Sequence, residues 1–169
     1  MTATKATEKA EDTEEAEEAQ AAELKALQAA LSAEHAVVYG YGVVGGKIDE
    51  PRRAEARAGY DAHRARRDEL ARAVRDLSGE PEASAAAYAL PFQVKNSAAA
   101  VRLAAELEER VAGAYSDLVR ASTGDQRSTA AEALREAAVR AVRWSGESVA
   151  FPGLAERAAT QSTSAPSPT

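Results

Sequence analysis

A stripe of apolar residues at helical spacing dominates the segment 24–44, and a glutamate interrupts it. The stripe advances by three and four residues, which places its members on one face of an α-helix; they are Leu24, Leu27, Leu31, Val38 and Tyr41. The step after Leu31 falls on Glu34. An ionised carboxylate is costly inside a helix bundle unless it has a partner. The sequence therefore predicts a buried polar site on this helix.

Two further apolar stripes carry one polar residue each. His63 lies in the stripe of a second helix and Glu108 in that of a third. Three interpretations remain open. Glu34, His63 and Glu108 form a hydrogen-bonded cluster that could include a tyrosine, or they bind a metal, or the helical registers are wrong and the side chains face solvent.

A metal site built on these residues lacks part of the ligand set of the di-iron and di-manganese bundles. Those bundles use one Glu from each of two helices and a Glu-x-x-His pair from each of the other two. The Glu of a pair ending at His63 would be residue 60, which is Tyr60, and helix 4 has no histidine. The remaining ligands for one Fe or Mn ion are Glu34, His63 and Glu108, with His35, Asp61 and Glu109 as a second tier.

The composition predicts one all-α domain between polar ends. A chain of 169 residues suits a single core, and it is rich in alanine, the best helix former. It has no cysteine, which excludes disulfides and thiolate ligands. We expect residues 1–20 to be disordered or a frayed extension of helix 1, residues 21–157 to form the bundle, and residues 158–169 to be a disordered Ser/Thr/Pro tail.

Four helices are predicted within the domain by their stripes and caps. The expected bounds are Glu23–Gly45, Asp49–Ser78, Asn96–Gly124, and a fourth helix from the capping box at Thr129. The predicted apolar stripe of helix 4 is Ala131, Leu134, Ala138, Ala141, Val142, Ser145 and Val149, with Trp144 packing on the closing segment Phe151–Leu154. The connection 79–96 is long enough to cross the bundle, so that helix 3 runs parallel to helix 2.

Charge and glycine patterns bear on partners. The net charge is −6, of which residues 1–25 carry −5, so nothing supports nucleic-acid binding by the domain. Helix 2 interleaves many arginines with acidic residues, which favours a salt-bridged face over a phosphate or nucleic-acid surface. The same helix could also contact the acidic N-terminal segment or a second subunit.

Glycines at positions 40, 42, 45 and 46 predict a close approach between helices, within the bundle or across a homodimer.

Targeting signals are missing from the sequence pattern. The first 20 residues lack the apolar core of a signal peptide, and no apolar run approaches the 18 residues of a membrane span. We therefore expect a cytoplasmic protein with no membrane contact.

Five segments together resemble a known family. They are LQAALSAEHAVVYGYGVVGG, AHRARRDEL, AYALPFQV, LAAELEERVAGAY and RWSGESVAFPGL. They are similar to the actinobacterial ferritin-like domain family of unknown function, and Glu34 followed by Tyr41 resembles the first helix of rubrerythrin- and ferritin-type bundles. The resemblance implies a ferritin-like four-helix bundle in which Glu34, His63 and Glu108 match the ligands of helices 1, 2 and 3.

The leading functional prediction is a non-enzymatic structural or protein-interaction module whose metal site has degenerated, without a cofactor. We expect a homodimer, with the acidic N-terminal segment as a tether to a protein partner. The alternative is an Fe- or Mn-binding protein that uses Glu34, His63 and Glu108, with oxidoreductase activity. A weaker third hypothesis is a small-molecule pocket under the segment Tyr88–Phe92.

Overall fold

The fold consists of four α-helices joined by three connections. The computed structural model describes residues 2–147, with side chains from residue 12 onward. The helices are α1 (Thr2–Gly45), α2 (Glu50–Asp76), α3 (Ser97–Ala121) and α4 (Gly124–Ser145), and this part of the chain contains no strand. The predicted closing segment Phe151–Leu154 and the tail 158–169 lie outside the described residues.

Contacts between named residues fix the direction of each helix. Helices α2 and α3 both run antiparallel to α1, so they run in the same direction, and α4 runs antiparallel to α3. The contacts are Leu24 with Gly79 and Tyr41 with Gly59 for α1 and α2, Glu34 with Tyr115 and Tyr41 with Glu108 for α1 and α3, and Glu108 with Arg140 and Val119 with Arg127 for α3 and α4.

The connection between α2 and α3 follows α1 from one end to the other. At its start, the Gln28 side chain donates to the Glu80 carbonyl and accepts from the Glu82 amide. Further along, the ring of Tyr88 packs 5.7 Å from that of Tyr39. Leu90, Phe92 and Val94 are partly buried against the core. This path returns the chain to the end where α3 can start parallel to α2.

Buried apolar side chains from all four helices form one core. Leu27, Leu31, Leu103 and Leu118 are among the largest side chains that are fully buried. The core is otherwise rich in alanine and valine, which lets the helix axes approach closely. Its only buried polar or charged residues, within the described part, are Glu34, His63, Glu108 and Ser122. The core therefore isolates a small group of ionisable side chains from water.

The start of α1 differs from the sequence prediction. The apolar stripe predicts a helix from about Glu23, but α1 begins at Thr2. Residues 12–22 are exposed, so tertiary packing does not explain this extension. Its Ala, Glu and Lys residues have high helix propensity, which is the physical reason for the difference.

Two predictions for α4 are wrong in register. The helix begins at Gly124 after the N-cap residue Thr123, so the predicted capping box from Thr129 lies inside it. Its buried residues are Ala130, Ala133, Ala137, Ala141 and Trp144. Of the predicted stripe within residues 124–147 only Ala141 is buried, while Ala131, Val142 and Ser145 are exposed. The predicted stripe residue Val149 lies outside the described residues. The helix has small apolar residues on two faces, so the pattern alone did not identify the one that meets the core.

Gly40, one of the predicted glycines, and Gly59, which the prediction did not include, allow close packing inside the bundle. A Cβ at Gly40 would lie 2.5 Å from Leu107 Cδ1, and a Cβ at Gly59 would lie 2.5 Å from Tyr41 Cε1. Gly42 and Gly45 have no atom within 4 Å of such a Cβ. Close packing within the bundle therefore explains Gly40 and Gly59 but not Gly42.

None of the helices in residues 2–147 is both long enough and apolar enough to cross a bilayer.

Candidate functional site

Three helices each bring one buried Glu or His side chain to the same point. Glu34 of α1, His63 of α2 and Glu108 of α3 each have 0% exposure. His63 Nδ1 lies 2.8 Å from Glu34 Oε2, and His63 Nε2 lies 3.0 Å from Glu108 Oε1. The imidazole thus bridges two carboxylates, as the positions of these residues in their stripes predict.

Two buried tyrosines complete the hydrogen bonding of the carboxylates. Tyr115 donates its hydroxyl to Glu34 Oε1 at 2.6 Å, and Tyr41 donates its hydroxyl to Glu108 Oε1 at 2.5 Å. Trp144 of α4 donates its indole N–H to the Tyr41 oxygen at 2.9 Å. A continuous hydrogen-bonded chain therefore runs from Trp144 through the cluster to Tyr115.

Helix α4 supplies a second positive charge. Arg140 Nε donates to Glu108 Oε1 at 2.9 Å, and its side chain is 18% exposed. This one oxygen of Glu108 receives hydrogen bonds from Tyr41, His63 and Arg140. With His63 protonated, two cations balance two carboxylates, as a buried group of charges requires. We call these four charged residues and three aromatic residues the polar cluster: Glu34, His63, Glu108, Arg140, Tyr41, Tyr115 and Trp144.

The surroundings of His63 hold its imidazole in the protonated form. Burial on its own lowers the pKa of His63, but hydrogen bonds to Glu108 and Glu34 and their negative charges outweigh burial and raise the pKa to about 9. Each ring nitrogen faces a carboxylate oxygen, which can only accept a hydrogen bond. A protonated ring, with a hydrogen on each nitrogen, fits both contacts.

The two tyrosines are held in the neutral form. Burial, together with the neighbouring carboxylate, raises the pKa of Tyr41 beside Glu108 and the pKa of Tyr115 beside Glu34 well above the usual phenol range. Both phenols consequently act as hydrogen-bond donors to the carboxylates throughout the physiological pH range.

The polar cluster does not match what a bound metal ion requires. A histidine ligand must be neutral and offer a free lone pair, whereas both His63 nitrogens donate to carboxylates. The Arg140 guanidinium already contacts Glu108, where it would repel a second cation. Among residues 2–147, no group of three or more His, Asp or Glu side chains has an arrangement able to hold a metal ion.

One atom of the polar cluster has no partner. Glu108 Oε2 is buried and makes no hydrogen bond with any group in the described part of the chain. A buried polar atom left unpaired costs free energy. This oxygen is thus the one position in the polar cluster that could still accept a proton donor or a cation.

The three second-tier ligands lie away from the polar cluster. A ring nitrogen of His35 lies 3.0 Å from the Glu82 carbonyl oxygen, in the connection between α2 and α3. Asp61 is exposed and pairs with Arg57, and Glu109 is exposed on α3. The structure therefore brings Glu34, His63 and Glu108 together and leaves His35, Asp61 and Glu109 outside the polar cluster.

Sequence reasoning missed Arg140 and the hydrogen-bonding roles of Trp144 and Tyr115. Tyr115 had a signal, because it lies in the same predicted stripe as Glu108, seven residues further along α3. Arg140 had no such signal in the sequence. The predicted register of α4 was wrong, and in that register Arg140 lay beside the face expected to meet the core. A register beginning at Ala130 would have put Ala137, Trp144 and the edge residue Arg140 on the inner side.

The arginine-rich face of α2 is largely neutralised by neighbouring acids. Its ion pairs are Arg52 with Glu55, Arg53 with Glu50, Arg57 with Asp61, Arg66 with Glu69 and Glu136, and Arg67 with Asp68. This arrangement agrees with the salt-bridged face that the sequence favours. Arg52 also covers the ring of Trp144, with its guanidinium carbon 4.0 Å from the ring centroid.

These features define an all-α protein of four helices around a buried cluster of charges. Residues 26–156 match the model of a family described as a domain of unknown function, DUF4439, and the chain belongs to that family. It is also similar to the crystal structure of a conserved hypothetical protein from Mycobacterium tuberculosis. The two are 38% identical with a TM-score of 0.72, and the match covers 73% of this chain and 95% of that one. No curated protein matches significantly.

Proposed function

We propose that the chain is a ferritin-like four-helix bundle with a degenerate metal site, and that its role is structural or protein-interacting rather than enzymatic. The parallel course of α2 and α3, joined by a connection that follows α1, supports the ferritin-like assignment, since those folds contain one long crossover connection. The polar cluster lies on the inner faces of the helices, which is where bundles build their metal sites.

The observation that carries this proposal is the crowding of Glu108 Oε1. Three donors converge on this oxygen, and two of them, His63 and Arg140, are cations. The protein thus uses its own positive side chains where a metalloprotein would use a metal ion. In this arrangement the polar cluster ties all four helices together, because α1, α2, α3 and α4 each contribute at least one member.

Metal content tests the proposal directly. We expect the full chain, purified after growth with added iron and manganese, to contain less than about 0.1 Fe, Mn or Zn per chain, because both nitrogens of His63 are occupied. Titration with Fe(II) or Mn(II) without oxygen should give no saturable binding. About one metal per chain, lost in Glu34→Gln and kept in the exposed control Glu109→Gln, would contradict the proposal. Glu34→Gln keeps the side-chain volume, so the comparison does not depend on an unfolded variant.

A second candidate function is Fe or Mn binding by Glu34, His63 and Glu108, with oxidoreductase activity. The unpaired Glu108 Oε2 favours it, since a free carboxylate oxygen is a good ligand for either ion. Binding would require His63 to lose a proton, and the pKa of His63 is raised to about 9. Metal affinity would therefore increase with pH up to about 9, whereas a protein without a site shows no binding at any pH.

The α1 extension is the proposed tether to a partner. Residues 12–22 are exposed and contain Asp12, Glu14, Glu15, Glu17 and Glu18. A helix with this charge suits a basic partner surface rather than a nucleic acid. If the tether binds such a surface, removal of residues 1–20 should abolish the interaction and leave the bundle folded.

A further inference from the structure

Helix α4 has a second apolar stripe beside its buried face, and of this stripe Leu134 is partly packed against the core. The buried face consists of Ala130, Ala133, Ala137, Ala141 and Trp144. A separate stripe advances by three and four residues along the outer side, through Ala131, Leu134, Ala138, Val142 and Ser145. A soluble helix packed on one side normally carries polar residues on the other. The second stripe therefore indicates that another surface covers α4 from outside.

The outer stripe borders an open groove between α3 and α4. The groove has a volume of about 310 Å³, and its floor is formed by Ala112, Ala138 and Ala141. Val139 and Val142 stand beside it with 42% and 37% of their surface exposed. They are two of the three large apolar residues that are exposed in the described part of the chain. The alanines leave room for a neighbouring helix to approach closely.

Two arginines and two glutamates line the groove, namely Arg135, Arg143, Glu109 and Glu147. Arg135 lies at the end nearer the start of α4, while Glu147 lies at the other end. Arg135 precedes Val139 by four residues and Glu147 follows Val142 by five, so the two charges are nearly symmetric about the midpoint of Val139 and Val142. An antiparallel copy of α4 centred on that midpoint would place Arg135 of each copy opposite Glu147 of the other. The face is therefore complementary to itself.

We propose that this outer face of α4 is the interface of a homodimer, with the two copies of α4 antiparallel about a two-fold axis near Val139 and Val142. A self-complementary patch is what two-fold symmetry requires, because the same surface serves both subunits. Apolar side chains lie at the centre and charges at the rim, the usual organisation of a protein interface. The inference rests on the interaction role proposed above and makes no use of metal content.

The interface is tested by measuring the molecular mass of the full chain by sedimentation or light scattering. Concentrations between about 1 and 200 μM cover the range in which a dimer with a micromolar Kd dissociates. We expect the mass to be twice the chain mass of 17.7 kDa. The double variant Val139→Asp/Val142→Asp should give the mass of one chain, with a Kd at least about 100-fold higher, because four like charges would meet at the centre. The control Ala65→Asp adds a charge at an exposed site on α2 and should leave the dimer intact.

Charge reversal tests the orientation and does not depend on the apolar variant folding. Arg135→Glu alone should weaken the dimer by about 10-fold, since it places acid opposite acid. Adding Glu147→Arg should restore the original Kd. Failure of this restoration would overturn the antiparallel arrangement.

A monomer at 200 μM would overturn the interface, and this outcome would mean that another protein or the chain's own segment after residue 147 covers the face. A dimer that withstands Val139→Asp/Val142→Asp would overturn it as well. A stoichiometric metal would instead contradict the proposed function, and it would leave the mass measurement unaffected.

Discussion

The two halves of α1 are both helical for different physical reasons. Residues 24–45 carry buried side chains such as Leu27, Leu31 and Tyr41, and they contribute Glu34 to the polar cluster. Residues 12–22 are exposed and consist mainly of alanine and acids. Packing against the other helices specifies the helical conformation of residues 24–45. Local helix propensity accounts for the helical conformation of residues 12–22. A continuous helix can thus contain one region that stabilises the fold and another that does not.

This contrast predicts unequal effects for the same substitution in the two halves. Glu34→Ala should lower the free energy of unfolding by about 3–5 kcal/mol, because it leaves a protonated His63 and the Tyr115 hydroxyl buried without a partner. Glu18→Ala, at an exposed position of the extension, should change it by less than about 0.5 kcal/mol. Urea unfolding followed by circular dichroism measures both. Equal effects of the two substitutions would show that Glu34 is not held in a dry cluster.

The pH dependence of stability should also originate in the packed half. Because the pKa of His63 is raised from 6.5 to about 9 on folding, its contribution is complete below pH 6.5 and is lost as the pH rises through 9. The free energy of unfolding should fall by about 3 kcal/mol across this window, given 1.36 kcal/mol for each pKa unit. Unfolding titrations between pH 6 and 10 measure the change.

Two histidine variants test whether His63 causes this decrease in stability. His63→Gln should largely remove the decrease between pH 6.5 and 9, while His35→Gln at the surface should retain it. Removal of residues 1–20 should retain it too, since that segment contains no histidine. A decrease that survives His63→Gln would require another titrating group.

Glycine substitutions should distinguish the packed surface from the open one. Gly59→Ala should destabilise by about 2 kcal/mol, because its Cβ would press on the Tyr41 ring, which hydrogen bonds hold in place. Gly42→Ala should stabilise by about 0.5–1 kcal/mol, since it adds helix propensity where no atom lies within 4 Å. Thermal unfolding of the two variants gives the comparison. A loss of stability in Gly42→Ala would indicate that this surface is covered, for example by a second copy.

The smallest effect is expected for deletion of the extension. Removal of residues 1–20 should shift the Tm by less than about 2 °C, because the side chains of residues 12–20 are exposed and add little to the cooperative unit. The same variant should lose helical circular dichroism in proportion to the residues removed. A large decrease in Tm would show that the acidic segment packs on the bundle and would remove the contrast between the two halves of α1.

The sequence predicted the polar cluster better than it predicted the helix that completes it. The three residues Glu34, His63 and Glu108 each continue a stripe of larger apolar residues. The sequence alone therefore shows a polar residue at a position that should be buried. Helix α4 offers alanine on both faces, and the register could not be chosen without knowing what α3 presents to it. Arg140 and its bond to Glu108 were consequently invisible. The sequence left residues 1–20 open between disorder and a frayed extension of helix 1, because an exposed helix has no apolar stripe to mark its start.

The path of the connection between α2 and α3 has a consequence for cleavage of the chain. Residues 82–87 are exposed, and a protease that cut there would leave two pairs of helices. One fragment would hold Glu34 and His63, and the other would hold Glu108 and Arg140, so each piece would carry one anion and one cation. Neither piece could satisfy the two tyrosines, because Tyr41 and Tyr115 each donate to the carboxylate on the opposite fragment. The nicked molecule should therefore persist as a non-covalent complex whose halves recognise each other.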